Sequence, residues 1–149
     1  YVSKVAEYFD IKPKIAMLSY ANFARDGETP TKMAEAAKLV KQHHPEYLVD
    51  GEMQADTAVN PRILEKLFPF CEIKDGANIL MFPNLDSGNI TYKLLQQLGG
   101  GEVMGPFLIG INKPAHVVQR TGVTDDIFNT AALTSLQCQA FMEGFNTKP

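Results

Sequence analysis

Cysteine is scarce: Cys71 and Cys138 are the two in 149 residues. Two thiols cannot build the disulfide framework of a small secreted domain. Neither stands in a pattern that would activate it, so each reads as a reduced, packed thiol. Long apolar runs are missing too, and no stretch approaches the length of a membrane span. The first residues, YVSKVAEYFD, read as an amphipathic helix and not a signal peptide, because no apolar run follows a basic start. A cytoplasmic protein with no membrane partner is the expectation. Charge of one sign is not in excess either. A net charge of −3 gives no electrostatic reason to expect nucleic acid or an anionic membrane. A local basic pocket for a phosphorylated small ligand remains compatible with that total.

Histidine is rare as well. His43 and His44 are adjacent and cannot share a helical face, so they make a poor metal pair and suit a helix C-terminus instead. His116 has no Cys or second His at ligand spacing, and no metal site is expected. Repeats, low-complexity runs and linkers are absent. The chain opens inside a helical pattern without an initiator Met, as expected of part of a longer protein.

What is present is ordinary for a globular protein: 45% apolar and 21% charged residues, enough for one modest core. Val2, Val5, Ala6 and Phe9 form one helical stripe, closed by Pro13. KIAMLSY is a short apolar strand. Thr29 is the expected cap of a helix with Pro30 in its first turn and Met33, Ala36, Ala37 and Val40 inward. Tyr47–Val49 opens a second strand running into Asp50-Gly51-Glu52. ADTAV and NPRILEKLF are helical, the latter started by Asn60 and Pro61. Asn78–Phe82 reads as a strand covered on both faces. Asp86–Leu98 is a helix with Ile90, Leu94 and Leu98 on one side, stopped by Gly99–Gly101. Glu102–Ile111 is apolar and extended, Asn112-Lys113-Pro114 is a turn, and Thr124 is the expected cap of a long helix from Ile127 to Phe141. Alternating strands and helices predict an α/β fold with a mainly parallel, doubly wound sheet.

The triple glycine follows a helix and lacks the spacing of a dinucleotide or P-loop fingerprint, so it reads as a helix stop. Asp50, Glu52 and Asp56 fall at a strand end, where open α/β sheets place ligand crevices; a solvated loop explains them nearly as well. The strongest chemical cluster is Asn112-Lys113-Pro114, Arg120 and Asp125-Asp126. A Lys and an Arg beside a turn can hold phosphate, and a nearby carboxylate can orient a thiol or hydroxyl. A tight turn followed by an ordinary helix cap would leave the same pattern.

GPFLIGINKP, with Arg120 and Asp126 after it, resembles the last third of the phosphate acetyl/butyryl transferases. So do LSYANF, VDGEMQAD and ANILMFPNLDSGNITYKLLQQLGG, in the same order and over nearly the whole chain. The resemblance implies a three-layer α/β/α sandwich of the type shared with isocitrate and isopropylmalate dehydrogenases. It implies that the chain is a second subdomain plus a terminal helix, lacking an upstream subdomain. It also implies a homo-oligomer and a coenzyme A and phosphate site in a cleft between subdomains.

Two branches of the family differ in what they do. Phosphotransacetylases exchange acetyl groups between coenzyme A and phosphate. The phosphotransacetylase-like C-terminal domain of large NADP-dependent malic enzymes is regulatory and takes acetyl-CoA as effector. There the chemistry, with NADP and a divalent metal, belongs to an upstream malic domain. The enzymes carry a Ser, an Arg and an Asp after the Lys-Pro turn. Here Gln119 stands at the Ser position, while Arg120 and Asp126 match the other two. LSYANF, GEMQAD and Lys-Pro-Ala-His are closer to the malic-enzyme forms. A Gln amide cannot stand in for a hydroxyl at a reacting centre without changing size and hydrogen-bond geometry. The resemblance therefore implies a regulatory acetyl-CoA domain. Its expected ligand residues are Ser19, Asn22, Asn112, Lys113, Pro114, Gln119, Arg120 and Asp126. In the alternative, a catalytic phosphate acetyltransferase, Arg120 stabilises the transition state and Asp126 assists the thiol.

Overall fold

The computed structural model describes residues 1–100, 103–111, 113–120 and 122–142, and their side chains except those of Tyr8 and Phe141. The chain forms two compact units, Ile11–Leu95 and Tyr1–Asp10 with Gln96–Pro149.

The first unit is built on a parallel sheet of β1 (Lys14–Leu18), β2 (Leu48–Met53) and β3 (Ile79–Met81), in the order β2-β1-β3. With β1 in the centre, successive connections run to opposite sides of it, which is the doubly wound pattern expected. Side chains alternate across β1. Ala16 and Leu18 enter a core with Met53, Ala58, Leu64, Cys71 and Ile73. Ile15 and Met17 are buried outside that cluster, and α2 (Glu28–His43) packs on β1 and β2 through its buried Met33, Ala34 and Ala37. Each fully buried Met53, Leu64 or Ile73 side chain contributes about 1.5–3 kcal/mol.

Asn78 ties the starts of two strands together. Its Oδ1 accepts the Lys14 N–H at 2.8 Å, and its Nδ2 donates to the Lys12 carbonyl at 2.9 Å. The helices α3 (Ala55–Val59) and α4 (Pro61–Leu67) follow β2. The Asn60 start signal is realised: its side chain accepts the Arg62 N–H at 3.1 Å, with Pro61 at the first helical position.

Several expectations need correction. Helix α2 starts one residue before Thr29, with Gly27 at the cap and a φ of 101° that suits glycine. Ala34 replaces Ala36 and Val40 on its buried face. Strand β2 runs through Met53, so Asp50 and Glu52 lie within it. Strand β3 is not covered on both faces, since Met81 is exposed. Helix α5 (Leu85–Leu98) forms as expected, capped by Asn84, whose Oδ1 accepts the Ser87 N–H at 2.9 Å. Yet none of its residues is buried, and Leu98 is 80% exposed.

In the other unit, α1 (Val2–Tyr8) buries Ser3, while Val2, Val5 and Ala6 are half-buried and Phe9 is exposed. Residues 103–111 form no strand. Helix α6 (Thr124–Met142) buries Leu133 and Ala140. Among the described residues no helix is long and apolar enough to cross a membrane.

Asp50 (8% exposed) anchors a polar cluster at the sheet edge. It accepts from the Glu72 N–H at 2.8 Å, the Gly51 N–H at 3.0 Å and Lys41 Nζ at 3.4 Å. Burial pulls the Lys41 ammonium down, but Glu72 (2.6 Å) and Asp50 outweigh it and hold its pKa above the ordinary value. Burial and the neighbouring Asp50 push the Cys71 thiol up to about 12. That keeps it protonated and unreactive, as the packed-thiol reading expects.

Candidate ligand-binding site

Ligands of open α/β sheets bind outside the carboxyl ends of the strands. In the sheet unit that edge is made by the loop after β1, Ser19 to Gly27, and by the turn from β2 into α3. The two are knitted together. The Ser19 N–H donates to the Met53 carbonyl at 2.9 Å and the Phe23 N–H to the Glu52 carbonyl at 2.9 Å. Asn22 and Gln54 exchange a pair of bonds: Asn22 Nδ2 donates to Gln54 Oε1, and the Gln54 N–H donates to Asn22 Oδ1, both at 2.8 Å. Gln54 Nε2 then donates to the Tyr20 carbonyl at 2.7 Å.

Ser19 is engaged in the same way. Its hydroxyl accepts the Ala21 N–H at 2.9 Å and donates to the Ala21 carbonyl at 3.0 Å. Ser19 and Asn22, expected as ligand residues, therefore spend their polar side chains on the shape of the loop. The groups left facing outward are backbone, the exposed residues Arg25 and Asp26, and the exposed Tyr20 ring, whose hydroxyl donates to the Asp26 carbonyl at 3.0 Å. Gln54 and Tyr20 were not singled out from the sequence. Nothing in their spacing signals a bond across more than thirty residues.

The three carboxylates separate into different roles. Asp50 serves the cluster around Lys41. Asp56 is exposed in the first turn of α3. Glu52 is buried behind the loop, where its Oε1 accepts the Arg25 N–H at 2.7 Å.

The second stretch belongs to the other unit. Asn112 lies outside the described residues. Lys113 and Arg120 are exposed and make no ion pair among the described residues, while Pro114 and Gln119 are half-buried. The Gly122 N–H donates to the Gln119 carbonyl at 2.9 Å, turning the chain into α6. Thr124 is the first helical residue, so Val123 takes the capping position expected of Thr124. Asp126, third in the helix, accepts the Val123 N–H at 2.9 Å, which is the returning half of a capping box.

His116 is the pin of this stretch. Its Nδ1 accepts the Leu108 N–H at 3.1 Å, which leaves the ring proton on Nε2 to be donated to Gln137 Oε1 at 2.6 Å. The Phe107 ring meets it edge to face, 5.3 Å between centroids. Chemically, the stretch offers two exposed cations suited to phosphate, beside a carboxylate already engaged at a helix start.

Known proteins share this layout. The family model for Phosphate acetyl/butaryl transferase matches residues 2–135. The phosphate acetyltransferase of Bacillus subtilis is 42% identical over 137 residues, covering 91% of this chain and 42% of that protein. The NADP-dependent malic enzyme of Rhizobium meliloti is 37% identical over 124 residues, 83% of this chain and 16% of that one. In three dimensions the chain resembles the EutD phosphotransacetylase from Staphylococcus aureus, with a TM-score of 0.84 and 37% identity over 91% of this chain and 43% of that one. The chain thus spans less than half the length of these relatives. It is a phosphotransacetylase-like α/β domain and belongs to the phosphate acetyl/butaryl transferase family.

Proposed function

We propose that this chain is the acetyl-CoA-binding, regulatory portion of a multidomain NADP-dependent malic enzyme. One feature carries the reading: Gln119 stands where the family resemblance implies a Ser, and Asp126 accepts the Val123 N–H at the start of α6. A site that keeps Lys113 and Arg120 for an anion but lacks the hydroxyl is suited to binding without turnover. The similarity to the Rhizobium meliloti malic enzyme supports it. NADP and the divalent metal would sit in an upstream malic domain and call on no residue here. Acetyl-CoA would bind between this portion and an upstream subdomain, and shift an equilibrium that the malic site feels.

A homo-oligomer is part of the proposal, supported by the exposed Leu85, Ile90, Leu94, Leu95 and Leu98 of α5. So is a cytoplasmic setting, supported by the unpaired thiols of Cys71 and Cys138.

The second reading, an active phosphate acetyltransferase, is favoured by the retained Arg120 and Asp126 and by the Bacillus subtilis relative. One assay separates the two. The full-length protein is incubated with acetyl phosphate and coenzyme A, and acetyl-CoA is titrated against malate oxidation. The regulatory reading expects no acyl transfer and a change in malate oxidation that Arg120→Ala weakens. Robust acyl transfer, lost in Arg120→Ala, would reject it.

A further inference from the structure

Glu52 is fully buried, at 0% exposure, although it lies beside an exposed loop. Its position is made by an irregularity of β2. Gly51 pairs with Met17 and Met53 pairs with Leu18, which leaves Glu52 with no partner across the ladder. A bulge of this kind releases a residue from the sheet and re-aims its side chain. Both groups released here go to the loop after β1. The Glu52 carbonyl accepts the Phe23 N–H at 2.9 Å, and Oε1 accepts the Arg25 N–H at 2.7 Å.

Phe23 and Arg25 have φ values of 53° and 52°, the left-handed region that side chains with a Cβ disfavour. Two such residues, one apart, persist only where their surroundings over-determine them. The two acceptors of Glu52 provide that determination from inside the fold. Oε2 has no partner among the described residues, so the side chain grips the loop through one oxygen.

We propose that Glu52 is a positioning residue of the ligand site: it locks Phe23 and Arg25 into the left-handed backbone that presents the loop to a phosphate-bearing ligand. The loop-locking half stands on geometry alone, while the ligand half rests on the binding reading given above. Because a single oxygen makes the side-chain contact, the amide of Gln should replace the carboxylate. Met, of similar volume and without an acceptor, should not.

The experiment uses the full-length protein, with amide hydrogen exchange at Phe23 and Arg25 in the absence of ligand and calorimetric titration with acetyl-CoA. Both amides should be protected in the wild type despite the exposure of the loop. Glu52→Gln should keep protection and affinity within about twofold, whereas Glu52→Met should speed exchange at the Arg25 amide, leave the Phe23 amide on the Glu52 carbonyl, and weaken acetyl-CoA by about tenfold. A wild-type Arg25 amide exchanging at the rate of free solvent-exposed backbone overturns the proposal, whether or not Glu52→Met folds. So does Glu52→Gln behaving like Glu52→Met, or Glu52→Met binding acetyl-CoA as the wild type does. If no form binds acetyl-CoA while Glu52→Met still releases the Arg25 amide, the binding reading falls and the loop-locking role stands.

Discussion

The two stretches that carry the expected ligand residues are held in opposite ways. The loop after β1 is bound to the end of β2 by a dense set of backbone and amide bonds, and its Ser19, Tyr20 and Asn22 side chains are consumed in making its own shape. The stretch from Leu108 to Asp126 is held at a few points, chiefly His116 against Leu108 and Gln137, and its cations point to solvent. The first is a preformed surface. The second keeps Lys113 and Arg120 outside any ion pair among the described residues.

The contrast breaks most severely at Gly51. Its φ is 131°, and an added Cβ would lie 2.6 Å from the Met17 carbonyl oxygen. Gly51→Ala should destabilise the sheet unit by about 2–6 kcal/mol, read from denaturant unfolding, because strain and overpacking act together.

The next effect follows pH. The folded Cys71 keeps its proton up to about pH 12, whereas the unfolded thiol releases it near 9. The folded state therefore binds more protons across that window, and stability is full below it and falls as pH rises through it. The raised pKa of Lys41 acts in the same direction above its ordinary value. The thiol's share approaches about 1.4 kcal/mol per pH unit. Cys71→Ala should flatten the fall in melting temperature between pH 9 and 12.

Asn22→Ala removes the two bonds that Asn22 exchanges with Gln54 and should cost about 1–2 kcal/mol, with faster amide exchange confined to the loop after β1 and the Gln54 amide. His116→Ala should cost about 1 kcal/mol and speed amide exchange at Leu108, whose N–H the ring accepts. Asp126→Ala is the mildest, at about 0.5–1 kcal/mol through the first turn of α6, seen as loss of protection at Val123.

The sequence was most legible where local chemistry decides. Asn60-Pro61 announces its helix by fixing a donor and a dihedral within three residues. The apolar KIAM core of β1 and the presence of α2 and α5 follow from local pattern, whereas the buried face of α2 takes Ala34 in place of Ala36 and Val40. Thr29 and Thr124 misplace their helix starts because Gly27, with its positive φ, takes the cap of α2, and Val123, whose N–H Asp126 accepts, takes that of α6. Residues 103–111 are apolar enough for a strand, but apolar character does not supply a neighbouring ladder. Family motifs led to Ser19, Asn22, Arg120 and Asp126. They gave no hint that the Ser19 hydroxyl is spent on Ala21 or the Asn22 amide on Gln54, the latter more than thirty residues away. Glu52 was visible as one acid among three, and its burial depends on a register shift that alternation of side chains cannot encode.

That shift sets two properties of β2 against each other. A chain one residue shorter at Glu52 would zip β1 and β2 into an unbroken ladder and make a more regular sheet. The same deletion would strip the loop of both its inner anchors. The extra residue is thus a local imperfection in the scaffold, kept at the one place where regular hydrogen bonding would leave the ligand-facing edge without a fixed shape.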